Sequence, residues 1–304
     1  MNDELKLKKI YARALDPIHI GAGGYRLGRV DNTIVRDPAT DVPKIPGTSI
    51  SGVVRAFYRI YLIENDDEGK SMSNEKEKRE CDEKKIVEIF GSKPESSETK
   101  KGILRFYDGQ IILFPVSSIQ GTVWITTEEL LEYWFDEIKD GEKIKIPKDV
   151  KDEAYIIKWD KDSKPSSLNL GWLLLEVEKH KDGKEIALPQ EIVNWVKRIV
   201  VVSEKLFSHI VNDNLEVRTS VRINPETGTA AEGALFTYEA IPRRTVFGFE
   251  IGVDNALAKQ RGINPDNLNV VNTIISAVSP YIRNLGIGGM GTRGFGRLEF
   301  DLKS

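Results

Sequence analysis

Cysteine is nearly missing from this chain. Cys81 is the single one among 304 residues, which excludes an internal disulfide and any cysteine-based metal cluster. It sits in a charged stretch, a poor setting for a catalytic thiol. A reducing, cytoplasmic setting is the expectation. Histidine is almost as scarce: His19, His180 and His209 are the full set, and three scattered imidazoles without cysteine do not make a zinc site. Long apolar runs are also absent. None approaches the roughly 20 residues of a membrane span, and the opening MNDELKLKKI has no signal-peptide core, so no membrane partner is expected. The net charge of -3 lacks the excess of a charge-driven nucleic-acid binder.

The distribution of charge says more than its sum. Arg13, Arg26, Arg29, Arg36, Lys44, Arg55 and Arg59 make the N-terminal part basic, and Arg283, Arg293 and Arg297 do the same for the tail. Acid gathers around Glu64 to Glu83 and Asp136 to Asp162. A bipolar chain of this kind suits RNA on one face and protein partners on others.

Two glycine-and-arginine loops stand at opposite ends of the chain. The first runs from His19 to Asn32 (HIGAGGYRLGRVDN) and the second from Gly286 to Arg297 (GIGGMGTRGFGR). Glycine lets backbone N–H groups approach a ligand closely, and arginine neutralises phosphate. The second loop is neither a P-loop nor a dinucleotide loop. It lacks the Gly-Lys-Ser/Thr run, and a strand rather than a helix follows Gly296. With Arg293 and Arg297 it reads as a backbone-phosphate cradle. A nucleotide-binding enzyme is disfavoured for want of a lysine-bearing phosphate loop.

Asp31 lies between Arg29 and Arg36, and an acid among phosphate-binding groups suggests chemistry on a phosphodiester. Three jobs are open to it: a salt bridge to Arg29 or Arg36, a general base, or a metal ligand. A carboxylate with a pKa near ~4 is a weak base for a ribose hydroxyl, and flanking arginines weaken it further. Holding Mg2+ or another divalent cation together with substrate phosphates suits it better. His19 has two readings. It is either a half-buried strand histidine bonded to backbone, or a general acid or base for RNA cleavage.

Local patterns predict the elements. Lys6 to Ile20 alternates as a strand, Gly21 to Gly28 is a loop, Asn32 to Arg36 is a short strand and Asp37 to Asp41 a turn. Thr48 or Ser49 is the expected cap of a helix reaching Leu62. Ile50, Val53, Val54, Phe57 and Tyr61 share one face of it, and Arg55 and Arg59 share another. Its N-terminus would offer N–H groups to an anion. Glu64 to Lys101 reads as an exposed insertion with one helix through Ile86, Ile89 and Phe90. Gly102 to Phe114 reads as a hairpin turning at Asp108-Gly109, and Thr122 to Ile125 as a strand. Thr126 with Glu129 reads as a capping box opening a helix through Trp134. Asp136 to Ser167 reads as a second insertion and Pro189 to His209 as helical. Arg218 to Tyr238 is a long projecting hairpin around Asn224 to Gly228. Asn267 to Leu285 is a helix with Val270, Ile274, Ile275, Val278 and Ile282 inward, and Arg297 to Leu302 a strand. The mixture fits α+β.

Four segments, in order, carry a resemblance: HIGAGGYRLGRVDNTIVRDPATDVPKIPGTSISGVVRAFYR, IILFPVSSIQGTVWIT, EGALFTYEAIPR and GIGGMGTRGFGRLEF. From about Leu15 to Phe300 the chain resembles the RAMP superfamily. More narrowly it resembles the repeated backbone subunit of type III CRISPR effector complexes, with IILFPVSSIQG leaning to the Cmr (type III-B) branch. The resemblance implies a ferredoxin-like, RRM-related palm (1–63, 102–135 and 239–304), insertions at 64–101 and 136–190, and a projecting β-hairpin thumb at about 215–238. It implies a crRNA-binding, filament-forming subunit whose partners are crRNA, single-stranded target RNA, further copies of itself and other subunits of the effector complex. An aspartate in this loop, required in that family for metal-dependent cleavage of target RNA, maps onto Asp31. The RNA contacts expected are His19, Gly21, Gly23, Gly24, Arg26, Arg29, Arg36, Thr48, Ser49, Ser51, Arg55, Arg218, Arg222, Gly288, Gly289, Arg293 and Gly294. The alternatives are a non-catalytic RNA-binding scaffold, in which Asp31 only orders arginines, and a metal-independent repeat-RNA processing endoribonuclease using His19.

Overall fold

The computed structural model describes residues 5–23, 30–65, 75–92, 99–178, 183–223, 225–263 and 268–301. In chain order the strands begin with β1 (Leu5–Ala14), β2 (Lys44–Ile45), β3 (Leu104–Phe106), β4 (Gly109–Val116), β5 (Val123–Thr126), β6 (Glu142–Pro147), β7 (Ala154–Lys158) and β8 (Ser167–Leu170). They continue with β9 (Leu173–Glu178), β10 (Gly183–Leu188), β11 (Ile199–Val201), β12 (Glu216–Ile223), β13 (Ala230–Ala240), β14 (Val246–Asp254) and β15 (Leu298–Phe300). The helices are α1 (Gly47–Glu64), α2 (Glu75–Phe90), α3 (Glu128–Phe135), α4 (Gln190–Trp195), α5 (Glu204–Asp213), α6 (Asn255–Gln260) and α7 (Leu268–Leu285).

Alternation in β1 sends Ile10, Ala12 and Ala14 into one core and Tyr11 into another. That alternation is the reason for a sheet covered on both faces. Strands β15, β1, β14, β4, β5, β11, β7, β9 and β8 lie side by side in that order. One face packs on α1, α5 and α7 through Val54, Phe207, Ile274 and Val278. The other packs on α3, α4 and the separate β6–β10 pair through Trp134, Ile192, Ile144 and Ile186. The architecture is α+β, as expected.

Several local expectations are corrected. The hairpin expected over Gly102 to Phe114 is one broken strand. Both β3 and β4 pair antiparallel with β14, at Leu104–Phe106 and Gln110–Leu113, so they run in the same direction. Asp108 and Gly109 have other work at the break. Asp108 Oδ1 accepts the Gly47 N–H at 2.8 Å and its Oδ2 pairs with Lys44 at 2.7 Å. A Cβ on Gly109 would sit 2.5 Å from the Phe249 ring. The helix expected from Pro189 to His209 is two helices with β11 between them. Ile199, Val200, Val201 and Val202 are β-branched and fully buried, and β11 lies between β5 and β7.

Helix α1 begins after Pro46 with no side-chain cap, so Thr48 and Ser49 lie inside its first turn. The cap of α3 is Thr127, whose side chain accepts from Leu130 N–H, one residue beyond the expected Thr126. Segment 136–190 contributes β7, β8 and β9 to the large sheet and is built into the body. In segment 64–101, Ile86 is fully buried, and Arg59 of α1 pairs with Glu83 of α2 at 2.5 Å.

Candidate nucleic-acid interface

The hairpin of β12 and β13 forms a two-stranded sheet of its own, with Thr219 opposite Thr237 and Val221 opposite Leu235. Its root is stitched to the N-terminal segment. Ile18 and Ile241 exchange backbone bonds of 2.8 and 2.9 Å. Asn32 N–H donates to the Thr237 carbonyl and Glu239 N–H to the Asn32 carbonyl, each at 3.0 Å. This stitching fixes Asp31. Its Oδ2 accepts the Thr237 N–H at 2.7 Å and the Thr237 hydroxyl at 2.9 Å, while its own N–H donates to Thr237 Oγ1 at 3.1 Å. Asp31 is exposed, and the two Thr237 donors hold its carboxyl below the usual carboxylate value. It is therefore a pinned anion on an open surface.

The tail loop reaches the same place. Gly289 N–H donates to the His19 carbonyl at 2.9 Å, and Gly296 N–H to the Pro17 carbonyl at 3.0 Å. Gly288 has φ +85°, and a Cβ there would lie 2.6 Å from the His19 carbonyl oxygen, so only glycine fits without strain. Phe295 is buried against Tyr238 with ring centroids 5.5 Å apart. The Arg218 guanidinium lies 4.6 Å over the Phe295 ring, and that of Arg293 lies 5.3 Å over Phe236. The two glycine loops and the hairpin root thus meet around one spot.

Around the root lie Asp31 on Thr237, Arg218 on Phe295, Arg293 on Phe236, and Gly288 and Gly289 on His19; Gly21 bridges to Ile34, and Gly21, Gly23 and Gly294 are exposed. Gly24, Arg26 and Arg29 lie outside the described residues, as does the side chain of Arg222. Two members of the expected set are corrected. His19 is 5% exposed, with its Nδ1 2.6 Å from the Glu239 carbonyl oxygen. It ties loop to hairpin as a buried, backbone-bonded histidine lying beyond the end of β1, and offers no ring to solvent-borne RNA. Arg36 forms no bridge to Asp31. It pairs with Glu239 at 3.0 Å, donates to Asn212 Oδ1 at 2.9 Å, and its side chain is 15% exposed.

Thr48, Ser49, Ser51 and Arg55 sit apart on α1. There the Asp108 carboxylate already takes the Gly47 N–H, so the helix start meets a protein anion first. Arg55 keeps one buried guanidinium nitrogen, Nη2, with no hydrogen-bond partner. The residue that sequence reasoning missed is Thr237. Alternation in Phe236-Thr237-Tyr238 puts it on the strand face opposite the aromatic pair, and that was the available signal.

No group of three or more His, Cys, Asp or Glu side chains suited to a metal occurs among the described residues. Asp31 fits as a single ligand. Both Thr237 bonds fall on Oδ2, so Oδ1 stays open to one hard cation whose other ligands come from water and phosphate.

The family model of the RAMP superfamily matches residues 11–299. The chain belongs to the RAMP superfamily. It is similar to the CRISPR system Cmr endoribonuclease Cmr4 of Pyrococcus furiosus, at 28% identity over 95% of this chain and 93% of that protein. A shorter stretch, 27% of this chain and 31% of the relative, is 33% identical to the CRISPR system Cms endoribonuclease Csm3 of Methanothermobacter thermautotrophicus. Among solved structures, a type III-B Cmr-beta complex in the apo state contains a chain of the same fold. Its TM-score is 0.65 at 19% identity, covering 97% of this RAMP chain and 96% of that one. A crystal structure of Cmr4 gives a TM-score of 0.61 at 20% identity, covering 98% of this chain and 100% of that one. These likenesses establish a RAMP fold. No described helix is long and apolar enough to cross a membrane.

Proposed function

We propose that this RAMP protein is a crRNA-binding backbone subunit of a type III-B CRISPR effector complex, and that it cleaves the guide-paired target RNA. Its partners in this reading are crRNA, single-stranded target RNA, further copies of itself and the other subunits of the complex. The single observation that carries it is the Asp31 carboxylate, exposed at the root of a projecting hairpin and held there by Thr237. Full-length similarity to a Cmr endoribonuclease supports the RNase assignment. The palm is formed by 1–63, 102–135 and 239–304, and the thumb by about 215–238.

Gly21, Gly23, Gly288, Gly289 and Gly294 bring backbone close to a strand, and Arg218 and Arg293 supply charge for its phosphates. Sequence specificity is left to base pairing with the guide, as suits a surface that reads shape and phosphate. Cleavage is attack of a ribose 2′-oxygen on the adjacent phosphorus: the hydroxyl proton passes to water, the P–O5′ bond breaks, and the leaving 5′-oxygen takes a proton from water. A carboxyl held below its ordinary pKa is a poor acceptor for the hydroxyl proton. Asp31 therefore acts as a fixed negative charge. Its Oδ1, together with RNA phosphates, would hold one Mg2+ or similar ion, which would supply charge neutralisation at the reacting phosphate.

The test is single-turnover cleavage by the assembled complex. Asp31→Asn should lower the rate by about 100-fold or more with guide RNA retained, and chelation should do the same to the unaltered complex. Undiminished cleavage by Asp31→Asn contradicts the assignment. Cleavage that survives chelation and fails in His19→Ala points instead to metal-independent processing, against which the burial of His19 already stands.

A further inference from the structure

A second basic surface lies on the sheet face turned away from α1 and α7, beside α4. It is a groove of about 390 Å3 whose lining includes Arg13, Trp124, Trp195, Lys197, Arg198 and Arg244. Its charge is unevenly committed. Arg198 is taken up by Asp160 and lies 5.4 Å from the Trp159 ring. Arg13 gives Nη2 to Glu299 at 2.6 Å and lies 5.4 Å from the Trp195 ring, while its buried Nε has no hydrogen-bond partner. Lys197 and Arg244 are exposed and form no ion pair among the described residues.

Arg244 is held in an unusual posture. Its φ is +72°, a region that long side chains rarely adopt. Two hydrogen bonds keep it there: its N–H donates to the Ala14 carbonyl at 2.7 Å, and its carbonyl accepts the Trp124 indole N–H at 3.0 Å. Strained backbone persists where the surroundings over-determine it, and such positions gather at binding sites. Here an indole of the groove itself sets the arginine that lines it.

We propose that this groove binds single-stranded RNA separately from the surface around Asp31. A base stacks on Trp195 next to Arg13, and the neighbouring phosphates lie on Lys197 and Arg244. Aromatic faces interleaved with cations are how proteins hold single strands without reading sequence, because every base has a π-face. An acidic protein segment would use the cations and leave the Trp195 face without a role. The groove adjoins the hairpin root through the chain itself. Arg13 is the last residue of the β1–β14 pairing, opposite Val246, and Arg244 lies between that pair and the Ile18–Ile241 bridge. A strand leaving the hairpin root therefore has a place to go.

The experiment measures binding of a fluorescently labelled hexauridylate to the full-length protein over a salt series. Thermal unfolding of each variant checks that it is folded. Lys197→Ala with Arg244→Asn, asparagine being tolerant of positive φ, should weaken binding about tenfold. It should also flatten the log–log salt slope by about 1.4, two phosphate contacts at about 0.7 each. Trp195→Leu should weaken binding where Trp195→Phe does not. A 4-thiouridine version of the oligonucleotide should crosslink to peptides containing Trp195 or Arg244. Unchanged affinity and slope in the double variant overturn the proposal, as do crosslinks confined to Gly21–Gly23 and Gly288–Gly294. A loss in Arg293→Ala alone would leave the Asp31 surface standing and remove this one. Binding of a polyglutamate peptide in place of the oligonucleotide would also overturn it.

Discussion

The hairpin of β12 and β13 is one antiparallel pair, with a register shift between Val221 and Ile223, and it has two very different ends. At the root, Tyr238 is 5% exposed and Ala240 is fully buried. There the strand rests on Phe295, on the His19 loop and on Asn32. Farther out, Leu235 is 68% and Ile223 52% exposed, and nothing in the described structure lies over them. A two-stranded ribbon is marginal in water on its own, so the blade is held out by its root. Thr237 sits at the border between the two. It belongs to the anchoring, through the Asn32 bond, and it orients Asp31. Anchoring the hairpin and presenting the carboxylate are thus one structural act.

That contrast can be attacked from the root first. Phe295→Ala removes the ring beneath Tyr238 and Arg218, and should cost about 3–5 kcal/mol in denaturant unfolding. A loss below about 1 kcal/mol would mean that the root is held elsewhere. Gly288→Ala forces a Cβ toward Ile20 and the His19 carbonyl at φ +85°, and should cost about 1–3 kcal/mol by the same measurement. The blade should be indifferent. Leu235→Ser and Val221→Ser should stay within about 0.5 kcal/mol of the parent, and a larger drop would show that the blade is packed.

The pH response sharpens the same comparison. Thr237 lowers the Asp31 pKa in the folded state. Its contribution to stability is therefore present above the unfolded pKa and is lost as pH falls through the lower folded value. Carboxyl NMR titration should find Asp31 ionised at pH 5 and titrating below the ordinary aspartate range. Thr237→Val removes the hydroxyl bond but keeps the stronger backbone one, and should move it only part of the way back toward about 3.9.

Much of this was legible in the chain. The hairpin and the terminal helix follow from alternation and helical spacing, and Asp31 stands out by the company an acid keeps. What stayed hidden needed partners distant in sequence. Asp108-Gly109 has the letters of a hairpin turn, yet Phe249 and the Gly47 N–H determine both residues. Ile199 to Val202 has the length of a helical turn and the branching of a strand, and only its place between β5 and β7 decides. At the site, local sequence set Arg36 beside Asp31, but Glu239, some 200 positions away, takes the guanidinium. Thr237 could be placed on a face and not on a partner.

The account rests on Thr237 fixing the attitude of Asp31, and single-turnover cleavage by the assembled complex tests that most directly. Thr237→Ser keeps the hydroxyl and should cleave at close to the parent rate, while Thr237→Val should slow cleavage about tenfold with guide RNA still bound. Parent-like cleavage by Thr237→Val would contradict the account, because the Thr237 hydroxyl would then add nothing to the backbone N–H bond that valine retains.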